Sequence, residues 1–261
     1  ARDFSAVAFR FAVDLHNALN VPIGIISCNW GATSASCWMG EEYIAKDPET
    51  RIYLDEYNEI IKSQDAERYE NDIVKYEDEL QAWAQRREKV PFNPEDVGAY
   101  FMDQSAGPWP WPIPMGPKSP MRPAGLYNSM VKKLIPYTIK GVIFYQGESD
   151  THRPYAYRKL FANMIQNWRD SWKNPQLPFL FVQISSFGNW GREMGEEWAV
   201  LRDSQLYVAK NIPNTSMVVS IDHGDRENIH PINKRPIGER LALAARAVVY
   251  GENIEYSGPI Y

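Results

Sequence analysis

A chain of 261 residues, 44% of them hydrophobic, is long enough to bury one large α/β core or two small ones. Its formal charge of −5 and the lack of any Lys/Arg block argue against nucleic-acid binding. No apolar run approaches the roughly 20 residues that a membrane-spanning helix needs.

The chain opens on "ARDFSAVAF", without an initiator Met, so its start reads as processed or truncated. From Phe4 to Leu19, apolar Phe4, Val7, Ala8, Phe11, Ala12, Leu15 and Leu19 recur at helical spacing and predict an amphipathic helix. The run Ile23 to Ile26, bounded by Pro22 and Gly31, predicts a buried parallel strand. Cys28 and Cys37 are the two cysteines; a short-loop disulfide and a pair of buried thiols are both open.

Roughly Ile52 to Val90 is charged and helical, with a stripe of Tyr, Leu, Ile and Trp, and predicts one or two solvent-facing helices inserted at about 45–95. The stretch "GPWPWPIPMGPKSPMRPAG" is too dense in Pro and Gly for regular structure and is a loop, about 106–124. Its Trp109 and Trp111, like Trp30 upstream, are candidates for gripping a flat ligand; packing over the core is the alternative.

Beyond this loop, helices and strands alternate. "LYNSMVKKLIPY" is a helix, "IKGVIFYQ" a strand, and the helix that follows opens on Pro154 as its first residue. "LPFLFVQIS" is a strand, "EEWAVLRDSQLYVAKN" a helix, "TSMVVSID" a strand, and a closing helix stops at Gly251. This alternation predicts a parallel sheet covered on both faces, whose ligands bind beyond the carboxyl ends of the strands. Three segments that directly follow strands, "SCNWGATS", "YQGESD" and "DHGDRENIHP", should therefore meet along one edge.

Each carries candidate chemistry. His230 stands on a loop before a helix with Glu227 three residues earlier; a carboxylate beside an imidazole can fix its tautomer and stabilise the imidazolium. A lone His in a loop is also commonly structural. Gln146, at a strand end, can donate to a developing oxyanion without titrating, or it can tie loops together. Glu148 reads as such a tie, and Ser149, Asp150 or Thr151 as a helix cap. Gly31 permits close approach of a backbone N–H, or only makes the turn. The chain has no Walker A loop, no Gly-x-Gly-x-x-Gly, no His-Glu-x-x-His, no Cys-x-x-Cys and no Gly-x-Ser-x-Gly elbow. His152 and His223 lie near the same rim as His230, without clear metal-ligand spacing.

The strings "FSAVAFRFAVDLHNALNVPIGIISCNWGATSASCWM", "LYNSMVKKLIPYTIKGVIFYQGESD" and "IHPINKRPIGERLALAA" together resemble the sialate O-acetylesterase family of the SGNH hydrolases, related to bacterial carbohydrate acetylesterases. The resemblance runs across nearly the whole chain. It implies a single domain over 1–261 with a flavodoxin-like α/β/α sandwich and a mostly parallel sheet. It also implies removal of acetyl groups from sugar hydroxyls by a Ser nucleophile and a His base, with no cofactor and no metal.

On the family's motifs, the base falls on His230, the oxyanion amide on Gln146 and the oxyanion glycine on Gly31. The family's second glycine is Ala32 here. The aspartate often found just before the histidine is missing: Asn228 lies two residues before His230, leaving Glu227 as the acid or the site as a dyad. The family's nucleophile lies in a Gly-Gln-Ser-Asn-Met string upstream of the first helix, and Ser27, Ser34, Ser105 and Ser149 lack that setting. The expectation is therefore that the first strand and the serine come from an N-terminal polypeptide fragment, and that the partner at the site is an acetylated carbohydrate: sialic acid or a plant glycan such as acetylxylan. Arg122, Arg153 and Arg192 are the candidates for a substrate carboxylate. The family implies a secreted, periplasmic or, in a eukaryote, lysosomal location. The alternative is an inactive carbohydrate-binding or scaffold protein on the same fold.

Overall fold

The structure is a computed structural model describing residues 4–91, 105–188 and 195–259. Three strands, β1 (Val142–Tyr145), β2 (Phe179–Val182) and β3 (Thr215–Val218), form a parallel sheet in the order β1-β2-β3. Six helices of fourteen residues or more lie among the described residues. They are α1 (Ala6–Leu19), α2 (Pro48–Ser63), α3 (Ala66–Glu88), α4 (Tyr157–Ser171), α5 (Glu197–Asn211) and α6 (Arg235–Val248).

Pleating sends alternate strand residues to opposite faces. Phe144, Phe179, Phe181 and Met217 face α4 and α5, where Tyr157, Phe161, Met164 and Leu201 complete one core. Ile143, Leu180, Val182 and Val218 face α1 and α6, where Val7, Phe11, Leu241 and Ala245 complete the other. The result is the expected three-layer α/β/α arrangement. Burying fully apolar strands on both faces is what forces continuous runs such as "FLFV".

Most predicted elements form where the periodicity places them. Ser5 caps α1 by accepting the Ala8 N–H at 3.2 Å, and α2 and α3 make up the helical insertion, of which residues 92–95 lie outside the described part. Two expectations change. Ile23–Ile26 forms no strand and joins no ladder among the described residues, and Ile26 is 42% exposed. An apolar run specifies an extended segment, but a strand also needs a neighbour to accept its hydrogen bonds. The helix after β1 begins at Tyr157 rather than Pro154, because the chain first makes turns over 151–156. The Pro154 carbonyl instead accepts the Ser204 hydroxyl from α5 at 2.6 Å.

Candidate active site

The carboxyl end of β1 is wired into three other segments. The Gln146 side chain donates through Nε2 to Asp150 Oδ2 at 2.6 Å and to the Thr33 carbonyl at 3.0 Å. Its Oε1 accepts the Tyr157 hydroxyl at 2.9 Å, and its main-chain carbonyl accepts Gln205 Nε2 at 3.1 Å. Both amide hydrogens are thus engaged, so an oxyanion would have to take over one of them. Gly147 continues the turn at φ +154°, where a Cβ would stand 2.7 Å from Ile184 Cγ2 and 2.9 Å from Leu201 Cδ2. Only glycine lets the chain leave the strand this close to α5.

Asp150, expected as a helix cap, is instead the hub of the site. It is fully buried and accepts four hydrogen bonds. Ser34 Oγ donates to it at 2.6 Å, the Ala35 N–H at 2.8 Å, the Tyr53 hydroxyl at 3.0 Å and Gln146 Nε2 at 2.6 Å. A buried carboxylate needs this many donors to offset its lost hydration. The hub joins the end of β1, the turn after Trp30 and α2 of the insertion. Sequence alone carried one sign of it, a carboxylate four residues beyond Gln146, but the donors that define its role lie about a hundred residues away.

The turn that carries Gly31 is braced from beneath. Thr33 Oγ1 donates to the Trp30 carbonyl at 2.9 Å and accepts Trp38 Nε1 at 2.9 Å. Gly31 itself is open, with no atom within 4 Å of where a Cβ would stand. Ala32 has φ +57°, the left-handed region that favours glycine. Cys37, below this turn, is buried; desolvation and the Asp150 carboxylate push its thiol up to about 12. Cys37 donates to the Met121 carbonyl at 3.2 Å, and both cysteines are free thiols.

His230 reaches the same edge on the loop after β3. That loop is hung on the chain following β2 through the Phe187–Asp225 bridge and the Gly188 N–H to Arg226 carbonyl bond at 3.0 Å. Asp225 Oδ1 accepts the N–H of Glu227 at 2.8 Å, and Asn228 Oδ1 accepts the N–H of His230 at 2.9 Å. His230 is exposed, yet partial desolvation and the nearby Lys234 ammonium hold its pKa below the usual histidine value. Lys234 in turn lies 5.2 Å from the centre of the Tyr145 ring, at the residue before Gln146. His230 and Gln146 therefore belong to one end of the sheet. Among the described residues no ion pair within 4.0 Å joins Glu227 to His230, and no serine hydroxyl is bonded to the imidazole.

The remaining candidates have the following surroundings. The Arg153 guanidinium is ion-paired with Glu56 of α2, touches His152 Nε2 at 2.9 Å and lies 5.2 Å over the Tyr53 ring. Trp30 is 50% exposed. Trp109 packs edge-on against Trp83, ring centres 4.6 Å apart, near the far end of α3, and Trp111 beside it is open to solvent. Since Tyr69 near the start of α3 already lies against the Pro-rich loop at Lys118, fourteen helical residues, roughly 20 Å, separate that neighbourhood from Trp83. Arg122 donates to the Pro117 carbonyl at 2.9 Å, and Arg192 lies outside the described residues. Among the described residues, no group of three or more His, Cys, Asp and Glu side chains forms a metal site.

Comparison with known proteins bears on this geometry. Residues 118–247 match the family model described as carbohydrate esterase, sialic acid-specific acetylesterase. The chain is 28% identical to the sialate O-acetylesterase of Mus musculus over 277 aligned positions, covering 98% of this chain and 45% of the relative. It is 26% identical to that of Homo sapiens, covering 41% of the relative. The crystal structure of a carbohydrate acetylesterase from Xanthomonas citri superposes with a TM-score of 0.67 at 31% identity, covering 98% of this chain and 44% of that one. The chain thus spans less than half the length of the relatives it matches. With the sheet order, the Tyr-Gln-Gly-Glu turn at β1 and the Ile-His-Pro loop all in place, the chain is similar to the sialate O-acetylesterases across 98% of its length, and residues 118–247 match that family's model.

Proposed function

We propose that these residues form the base- and oxyanion-bearing part of a carbohydrate O-acetylesterase. A serine Oγ attacks the acetyl carbonyl carbon while His230 takes its proton. The C–O bond to the sugar then breaks, and the sugar oxygen leaves with that proton. Water, deprotonated by the same imidazole, releases acetate from the acyl-enzyme. The Gln146 amide and the Gly31 N–H hold the oxyanion, Gln146 giving up its bond to the Thr33 carbonyl while Asp150 keeps the other hydrogen. Glu227 lies beyond ion-pair distance of His230, which favours a Ser–His dyad over a triad in this arrangement.

The observation that carries the reading is the docking of the His230 segment, through Lys234 and Tyr145, onto the strand end that presents Gln146. A second observation bears on the serine. Among the described residues β1 pairs only with β2, its other edge carrying no strand, and Ile23 and Ile25 rest on the same apolar cluster as Ile143 and Tyr145 without a ladder between them. One further parallel strand inserted there would satisfy both edges and bring its own carboxyl end beside Gln146. We take that strand, from a polypeptide segment outside these 261 residues, as the source of the nucleophile. The acetylated sugar and an extracytoplasmic or lysosomal location follow from the family.

The full-length protein labelled with a fluorophosphonate should carry the adduct on a serine outside this sequence, and hydrolysis of an acetylated sugar should stop in step with labelling. An adduct on a serine within these residues, or turnover that survives complete labelling, overturns the assignment. The engaged amide of Gln146 favours the second reading, a sugar-binding protein without chemistry. That reading expects no adduct anywhere.

A further inference from the structure

We infer that Tyr53, on α2 of the helical insertion, is a positioning residue of the oxyanion site and acts on Gln146 through the Asp150 carboxylate. The inference rests on the esterase reading above and adds a residue to its machinery. The two carboxylate oxygens of Asp150 divide their partners evenly. Oδ2 accepts the Gln146 amide and the Ala35 N–H, and Oδ1 accepts the Ser34 and Tyr53 hydroxyls. Ser34 Oγ also accepts the Ser36 N–H at 3.1 Å and the Ser36 hydroxyl at 2.9 Å, so its single hydrogen goes to Asp150. Tyr53 is the donor that comes from the insertion, a segment whose charged composition marks it as a wet surface element.

Tyr53 is placed by more than its own hydrogen bond. It is buried, and its ring centre lies 5.2 Å from the Arg153 guanidinium carbon; Arg153 is ion-paired with Glu56, three residues further along α2. Toward the start of α2, Lys159 of α4 donates to Glu49 at 2.9 Å. Asn163 of α4 donates to Asp47, the residue before α2, also at 2.9 Å. The helix is thus fastened to the 150–163 segment on both sides of Tyr53, and its phenol is delivered to the carboxylate. Burial and the Asp150 charge hold the Tyr53 hydroxyl well above the usual phenol pKa, so it stays a donor.

The consequence is electrostatic. In the proposed reaction the oxyanion accepts the Gln146 hydrogen that now points to the Thr33 carbonyl. Two acceptors of one NH2 group stand ~5 Å apart, so the new anion forms close to the Asp150 carboxylate. Their repulsion raises the transition state and leaves the bound ester, whose carbonyl is neutral, almost untouched. Every donor to Asp150 disperses part of its charge and weakens that repulsion. The Tyr53 hydroxyl does so on the oxygen that Gln146 does not use.

The test uses the full-length protein and an acetylated sugar, with kcat counted per fluorophosphonate-reactive site so that loss of folded protein does not enter it. Tyr53→Phe, which keeps the ring beside Arg153, should lower kcat about tenfold and leave KM within about twofold. In an Asp150→Asn background, where no carboxylate charge opposes the oxyanion, the same change should cost less than about twofold. An unchanged kcat in Tyr53→Phe, a loss carried by KM alone, or an equal loss in both backgrounds overturns the inference. Equal losses are what a merely structural tyrosine would give. Side-chain amide NMR of protein carrying nitrogen-15 glutamine reads the contact without turnover. With one donor fewer, Asp150 pulls harder on the Gln146 amide, and the proton between them should move downfield in Tyr53→Phe. That shift keeps Tyr53 as the residue that sets the Gln146 amide even if no ester is hydrolysed, an outcome that would sink the esterase reading alone. A Gln146 signal that stays in place or moves upfield overturns the inference.

Discussion

The two sides of the site are built differently. At the end of β1, Gln146 is held by four partners and rests on a carboxylate, Asp150, that no solvent reaches. At the same end of the sheet, His230 is exposed on a loop held by three side-chain-to-backbone bonds, the Phe187–Asp225 bridge, the Gly188–Arg226 backbone bond and the apolar Ile229. The Gln146 amide is thus held firmly by buried partners, and His230 is set by a loop whose imidazole has no bonded neighbour among the described residues. In the proposed reaction Gln146 exchanges one of those bonds, to the Thr33 carbonyl, for the oxyanion. A base has to take a proton from one oxygen and deliver it to another, and tolerates a looser seat.

The sharpest test of this contrast is removal of the base. His230→Ala should lower kcat for an acetyl ester by ~10²–10⁴-fold with little change in thermal stability, since an exposed side chain on a loop contributes little to packing. Retained turnover would break the contrast at its catalytic end. In the wild type, the pH profile of kcat/KM should fall on the acid side with a pKa below 6.5. The base must be neutral, and both desolvation and Lys234 disfavour its protonated form. An acid limb above 6.5 would contradict that sign.

Gln146→Ala should cost ~10²–10³-fold in kcat, measured on the same ester, and unlike the His230 change it should also lower the melting temperature. The Asp150 and Tyr157 partners it abandons are both buried. Asp150→Ala sharpens the comparison in the other direction. It strands donors from Ser34, Ala35, Tyr53 and Gln146, and should destabilise the fold by about 3 kcal/mol or more in urea unfolding. A loss under 1 kcal/mol would mean that the hub is not the keystone of the rigid side. The smallest effect should come from Ala32→Gly. Relief of a left-handed backbone is worth about 1 kcal/mol, partly offset by glycine's entropy in the unfolded chain. A modest rise in melting temperature is expected, and a fall would show that the turn draws on the Ala32 methyl.

Much of the fold was legible from residues near each other in sequence. Apolar pairs at helical spacing placed α1 and α6, and the unbroken "VIFY" and "FLFV" runs placed β1 and β2. The rule that loops meet beyond the carboxyl strand ends brought Gln146 and His230 to one edge before any coordinate was known. What failed depended on distant partners. Ile23–Ile26 has the composition of a strand, yet pairing is a property of two segments, and only the sheet reveals that the second is absent from the described residues. Asp150 looked like a cap because capping is local. Its actual donors, Ser34, Ala35 and Tyr53, are remote in the chain. Trp109 and Trp111 have the composition of cleft residues, and which of them packs was decided by α3: Trp109 lies edge-on against Trp83, and Trp111 is open to solvent.

The order of elements, the faces they bury and the identity of the groups able to move a proton or hold an anion were determined by the sequence, because periodicity and side-chain chemistry are encoded residue by residue. Which carboxylate lies under Gln146, which lysine stands beside His230 and the Tyr145 ring, and which strand edge is left open among the described residues were decided only in three dimensions. Each of these depends on the distance between charges or unpaired hydrogen-bonding groups far apart in the chain, and that distance exists only once the layers have packed.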